Sequence, residues 1–510
     1  MLNAVIARID AALDEHPVFF LTAWSVLFLG AVVFAAATTP FDSDEVLTIL
    51  TSQMPSRSVM WAALAEGVDD APPLYAVVAG ALHSLVGPGH VVTRLPAIAG
   101  AWVAAVILFV MVRRRTNALL GLAAALACAI ASFRFAIEAR GYAPAMACIA
   151  VALFAWTQLP EGRRRLWYAG LLAASLGAAP WWHDTAALAL VPFVAGEVMR
   201  WFDRGRQDWL AWGAIALAAT AALPLLGLAG QSIAGPEPTH QGFIARMGGA
   251  YADLLAPFGS LVVVLAWLAA LLFAIWTIAL VVANRAVDLG DRPVKGYEIA
   301  AALGFALMPA LGVAFAMLFG FQIGARDLAV AIPGLVATVM VFLATFTPRS
   351  GAADLIVTTA LGLSLAGTVA TSLLTSAAGL PDPVRTRPTL VRGLRDSAEP
   401  VVLAAGAGTL QLFYYAERGW PGRAVILADP DLAKEIIGSA RADTHLIVVA
   451  KWTPARVEPF FPYSSIARAF QVHESAPNWL LPKLKQMRAG LQEVESGPGG
   501  TLWRVRMREP

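Results

Sequence analysis

Asp42-Ser43-Asp44-Glu45 places three carboxylates within four residues, just after an apolar run that ends near Ala37. Carboxylates this close repel one another, and such crowding favours a bound proton or a cation. The same residues also suit the start of a helix through Ser52, with Ser43 and Asp44 as candidate caps. A second cluster, Asp69-Asp70-Ala71-Pro72-Pro73-Leu74-Tyr75, reads as an extended turn whose prolines open a helix. A third, Glu138-Ala139-Arg140-Gly141-Tyr142, sets an acid and an arginine two residues apart between apolar runs. That pair is either a structural ion pair or a functional one, since ionisable groups at membrane depth are functional candidates by default. Trp181-Trp182-His183-Asp184 reads partly as an interfacial aromatic belt carrying two titratable groups, and Arg326-Asp327 completes the set. Arginine suits a phosphate because its planar fork makes paired hydrogen bonds. Acids beside arginines fit a reaction in which a hydroxyl loses its proton while a phosphate leaves.

These clusters share a site only if the elements between them bring them to one side of a membrane. The chain has 510 residues, 58% hydrophobic and 14% charged, against about 25% charged in soluble proteins. Apolar runs long enough to span or nearly span a bilayer lie near 18–37, 92–112, 117–135, 142–159, 166–180, 185–199, 209–230, 257–283, 297–320, 328–347 and 354–376. Ala35-Ala36-Ala37 can pass for a cleavage site, but its run is longer than a signal core and follows mixed charges (Arg8, Asp10, Asp14, Glu15). It is read as a retained first helix.

Leu74–Val86 is a further apolar stretch, about 20 Å long as a helix against a hydrocarbon core of about 30 Å. Laid flat in the interface, it leaves Arg113-Arg114-Arg115, Arg163-Arg164-Arg165, Arg200/Arg204/Arg206 and Arg285/Arg292/Lys295 on the side of Arg8. If it crossed, all four basic clusters would move outside, against the positive-inside rule. The reading is therefore about eleven transmembrane helices plus an interfacial helix at 74–86. Outer loop 38–91, every acidic and arginine cluster above, and the tail after 376 then face outward.

The tail changes character. Residues 377–400 carry four prolines and several charges, as a linker does. Val401–Ala405, Ala424–Leu427 and Leu446–Val449 are short apolar runs with helical stretches such as Asp431–Ala440 between them, which predicts a small α/β domain at 401–510 with a partly parallel sheet. Net charge is only +2, so a polybasic attraction to nucleic acid is not indicated. Cys128 and Cys148 both lie in apolar runs and make no disulfide framework. There is no P-loop, zinc motif or nucleophile elbow, and the Gly406/Gly408 turn is only a weak nucleotide signal.

Residues 15–350 resemble the GT-C superfamily of membrane glycosyltransferases, in the branch that holds the protein O-mannosyltransferases and the lipid A aminoarabinose transferases. The carriers are Asp44-Glu45, the DDAPPLY entry, Arg94-Leu95-Pro96, the EARGY segment and GARDLAVAIPG, in that order. Two positions depart from the pattern: Ala71 stands where relatives usually have His, and Asp327 where they usually have an aromatic. The resemblance implies a single inverting displacement with a sugar on polyprenyl phosphate as donor. It gives Asp44 as the general base, Glu45 or Asp42 as supporting acid, and Glu138 as a second acid. Arg140 and Arg326 would hold the leaving phosphate. Asp70, Tyr75, Tyr142, His183 and Asp184 would border the substrate groove. A divalent cation at Glu45 and Glu138 is a possibility that the resemblance leaves open. The acceptor would be a glycolipid, a polysaccharide or a protein at the outer face of a bacterial cytoplasmic membrane. A lipid-linked saccharide flippase and a non-catalytic membrane scaffold stay open as alternatives.

Overall fold

The computed structural model describes residues 8, 11–54, 56–65, 69, 71–159, 164–225, 242–258, 294–319, 323–346, 352–377, 401–404, 414, 425–427, 445–450, 490–497 and 500–506. The helices in chain order are α1 (Pro17–Thr38), α2 (Ser43–Ser52), α3 (Arg57–Ala65), α4 (Pro73–Val86), α5 (His90–Arg115), α6 (Ala118–Ala136) and α7 (Tyr142–Gln158). They continue as α8 (Arg165–Trp182), α9 (Leu190–Arg204), α10 (Trp209–Ala222), α11 (Phe243–Leu255), α12 (Gly296–Phe319), α13 (Ile332–Phe346) and α14 (Ala352–Ala377). Every apolar run of the sequence reading carries a described helix except 257–283, which lies almost wholly outside the described residues. Among the described residues, seven helices are long and apolar enough to cross a membrane, and three shorter apolar ones accompany them. α1 and α14 turn Val18, Phe19, Leu27, Ile356 and Leu363 outward, a surface that water would not favour and lipid would. This is a multi-pass membrane protein.

The chain divides into two compact units: residues 1–39 with 54–378, and residues 40–53 with 379–510. The first unit is centred on α5, α6 and α7. Their facing positions are small (Ala97, Ala101, Ala104, Ala123, Ala127, Ala143, Ala150), so the backbones approach closely. At Gly100 a Cβ would sit 2.5 Å from the Pro144 nitrogen, so this crossing needs glycine. Arg94 is fully buried, and its Nη1 donates to the carbonyls of Ala36 and Thr39 at 2.6 and 2.7 Å. It thereby satisfies the open carbonyls at the end of α1, a structural role for this carrier of the family resemblance. Gly87, at φ 89 and ψ 158, makes the turn that folds α4 back along α5, a conformation open essentially to glycine alone.

Two elements differ from continuous helices. α9 and α13 are each preceded by a 3-10 turn, Asp184–Ala189 and Ala325–Ala331. Pro192 and Pro333 lie just inside those helices and cannot donate to the carbonyl four residues back, so the preceding turn tightens. These turns carry Asp184 and Arg326-Asp327. Helix α11, within the polar connection after α10, was not evident from hydropathy.

The second unit holds a five-stranded sheet of order β2-β1-β3-β5-β4, where β1 is Val401–Ala404, β2 Val425–Leu427, β3 His445–Ala450, β4 Gly490–Gly497 and β5 Gly500–Arg506. β1 runs parallel to β2 and β3, while β5 is antiparallel to β3 and β4. The three apolar runs are the three parallel strands, and the final hairpin was missed. Asp431–Ala440 and Gly406/Gly408 lie outside the described residues. Residues 40–53 belong here, although the sequence places them in an outer loop of the membrane domain. Phe41, Val46 and Ile49 are buried together with Leu50 and Tyr414, and the Phe41 ring meets Tyr414 edge-on at 5.6 Å.

Candidate functional site

In the second unit, the acidic trio is resolved by the local start of α2. Asp42, and not Ser43 or Asp44, is the cap: its Oδ1 accepts from the Glu45 N–H at 3.0 Å, while Glu45 Oε2 accepts from the Asp42 N–H at 2.9 Å. This reciprocal box satisfies two of the open donors of the first helical turn. Glu45 is buried, while Asp42 is exposed. Asp44 occupies the same first turn, half-exposed, where a negative charge is favoured by the helix dipole. Glu45 and Asp42 therefore support the turn that presents Asp44, and their carboxylates are engaged in holding it.

In the first unit, the candidate residues gather around the link between α6 and α7. The link is short because Gly141 lies against the end of α8, where any Cβ would run into the Trp182 carbonyl. Gly141→Ala is expected to displace the link and to lower the melting temperature. Unchanged melting would show that the close approach is not needed.

Arg140 Nη1 donates to Asp69 Oδ1 at 2.8 Å, and both side chains are under a tenth exposed. Asp69 Oδ1 also accepts from the Ala71 N–H at 3.1 Å, which fixes the turn into the Pro72-Pro73 helix start. Asp70, the acid chosen from sequence, lies outside the described residues. Glu138 Oε1 accepts from Arg134 Nε at 2.9 Å, one helical turn back. The ion pairs of the EARGY segment thus run from Glu138 to Arg134 and from Arg140 to Asp69.

Tyr142 stands in the middle of these charges. Its side chain lies within electrostatic reach of Asp327, Arg326, Arg140 and Glu138. Arg134 in turn lies within reach of Glu138, Arg326 and Tyr142. Arg134 and Arg140 are each paired with a carboxylate, Glu138 and Asp69, so these charges offset one another. The Tyr142 ring packs on the His183 imidazole at 4.6 Å. His183 is buried, with Nδ1 at 2.8 Å from Thr185 Oγ1 and Nε2 at 3.6 Å from Asp327 Oδ1. Asp184 is exposed and accepts from the Thr185 N–H at 2.7 Å, so it serves the start of its 3-10 turn.

Tyr75 differs from the expectation that it borders a groove. It is 1% exposed, its hydroxyl donates to the Thr93 carbonyl at 2.9 Å, and its ring meets Trp182 edge-on at 6.1 Å. It packs α4 onto α5 and α8. Sequence reading also missed Asp253 on α11. This half-buried acid faces the charge of Arg134, yet burial holds its carboxyl above the usual range. The two acids suggested for a cation are engaged in their own units. Glu45 caps its helix, Glu138 is bonded to Arg134, and among the described residues no three His, Cys, Asp or Glu side chains group as a metal would need.

Residues 70–227 match the profile of the family described as dolichyl-phosphate-mannose-protein mannosyltransferase. The structure is similar to that of ArnT from Cupriavidus metallidurans in the apo state, with a TM-score of 0.58 and 13% identity over 95% of this chain and 98% of that one. This chain has the GT-C fold. ArnT bound to undecaprenyl phosphate gives a TM-score of 0.57 and 14% identity over the same shares. No curated protein matches the sequence significantly. At this identity the GT-C fold is shared while side chains have diverged, and a fold does not by itself assign a site's chemistry.

Proposed function

We propose that the chain is an inverting glycosyltransferase. It moves a monosaccharide from a polyprenyl-phosphate donor to an acceptor hydroxyl on a cell-envelope glycolipid or polysaccharide. The reaction takes place at the extracytoplasmic face of a bacterial cytoplasmic membrane. The observation that carries this reading is the set of acids and arginines at the link between α6 and α7, where Arg140 is held by Asp69 at 2.8 Å and Glu138 by Arg134 at 2.9 Å. It occurs in a fold that, in ArnT, has been solved with undecaprenyl phosphate bound.

Asp44 is the base. It takes the acceptor proton as the hydroxyl oxygen bonds to the anomeric carbon, and the bond from that carbon to the phosphate oxygen breaks. The negative charge then grows on the lipid phosphate, where Arg140 and Arg326 meet it with charge-assisted hydrogen bonds. Arg140 is held in place by Asp69. Glu138 orients the acceptor or balances the arginines, and Tyr142 walls the site between them.

A labelled polyprenyl-phosphate sugar incubated with the protein should release free polyprenyl phosphate, which neither a flippase nor a scaffold would do. Mass spectrometry of the envelope glycolipids lost in a deletion strain would then identify sugar and acceptor. Arg326→Ala should weaken donor affinity about 10- to 100-fold, as loss of a hydrogen bond to a charged group implies. Unchanged donor affinity would assign Arg326 a structural role.

A further inference from the structure

We propose that Asp327 is the positioning residue for Arg326, acting through a clasp between the two 3-10 turns that precede α9 and α13. The inference rests on the reading that Arg326 holds the donor phosphate. Arg326 begins a turn on the edge of the bundle, and an arginine side chain carries about 2 kcal/mol of rotamer entropy that must be lost when it binds. Something must fix the backbone from which it departs.

Asp327 does this with both oxygens. Oδ2 accepts from the Gly324 N–H at 2.7 Å, and the Asp327 N–H donates back to the Gly324 carbonyl at 3.2 Å, closing the turn around Arg326. Oδ1 faces Tyr142 Oη at 3.5 Å and His183 Nε2 at 3.6 Å. The Asp327 carbonyl accepts from Thr185 Oγ1, and Thr185 Oγ1 also meets His183 Nδ1. The His183 ring packs against Tyr142, tilted by 35°. The turn bearing Arg326 is thus tied to α7 and to the 184–189 turn, and the guanidinium is kept within reach of Tyr142 and Arg134. A phenylalanine at position 327 would keep the main-chain bonds to Gly324 and Thr185 but would lose the carboxylate that accepts from the Gly324 N–H and faces Tyr142 and His183.

The test uses the full chain in lipid nanodiscs with undecaprenyl phosphate as probe and undecaprenol, which lacks the phosphate, as control. Asp327→Ala should weaken undecaprenyl phosphate binding at least about 10-fold and leave undecaprenol binding alone. Combined with Arg326→Ala it should add less than about 2-fold to the loss from Arg326→Ala by itself, because positioning and positioned residue act as one unit. Asp327→Asn, which keeps an acceptor for the Gly324 N–H but loses the carboxylate that faces Tyr142 and His183, should lose about 3-fold in affinity, less than alanine, and serves if alanine fails to fold. Wild-type affinity in Asp327→Ala or Asp327→Asn, beside a weakened Arg326→Ala, overturns the clasp alone. Fully additive losses, or equal losses for both lipids, overturn it too. Arg326→Ala without effect overturns the phosphate reading itself, and the clasp with it.

Discussion

Asp44→Asn is expected to lower sugar transfer by at least about 100-fold, the size typical of a lost general base. Affinity for undecaprenyl phosphate and melting temperature should stay near those of the unchanged protein. The physical reason lies in the helix start. Asp42 and Glu45 close the capping box on each other, so the fold of α2 does not depend on the Asp44 carboxylate. Loss of the charge there weakens a helix-dipole interaction of roughly 0.3–1 kcal/mol. Asn keeps the size and polarity of Asp but cannot take a proton. The neighbours should behave in the opposite sense: Asp42→Ala costs about 1 kcal/mol of stability by opening the cap, and its activity should fall only with that loss. Free polyprenyl phosphate released per unit time checks both. Retained turnover in Asp44→Asn would end its assignment as base.

Helices α1, α5–α10 and α12–α14 were legible because each follows a long apolar run, and the parallel strands because each is a short β-branched run bounded by breakers. The Asp42-x-x-Glu45 spacing was a legible capping box, although attention to Ser43 and Asp44 shifts the start by one residue. Arg134 and Glu138, four apart, were likewise a legible pair. Other features were not legible, for reasons that are geometric. The turn before Pro72 aims Asp69 at Arg140, and no periodicity in the sequence states that Asp69 points there. Asp327 reads as a departure from the family pattern, because its partners His183 and Tyr142 are distant in sequence. The packing of Phe41 on Tyr414 joins the first acidic loop to the tail unit across nearly the whole chain. Hydropathy cannot report such a contact, since the two rings carry no periodic signal.

Arg140 holds the phosphate in this reading, yet it is also half of a buried ion pair, and the two roles can be separated. Asp69→Ala should destabilise the protein by about 3–5 kcal/mol, because it leaves a buried guanidinium without its counter-charge. A loss of activity in that variant would say nothing about chemistry. The double variant Asp69→Ala/Arg140→Met removes both charges and fills the space with an apolar side chain. Replacing a buried pair in this way is often neutral or stabilising. Most of the lost melting temperature should therefore return, while transfer and undecaprenyl phosphate affinity stay low. Recovery of stability without recovery of donor binding identifies Arg140 as a phosphate ligand. Recovery of both would make the pair purely structural and leave Arg326 as the cation that meets the leaving group.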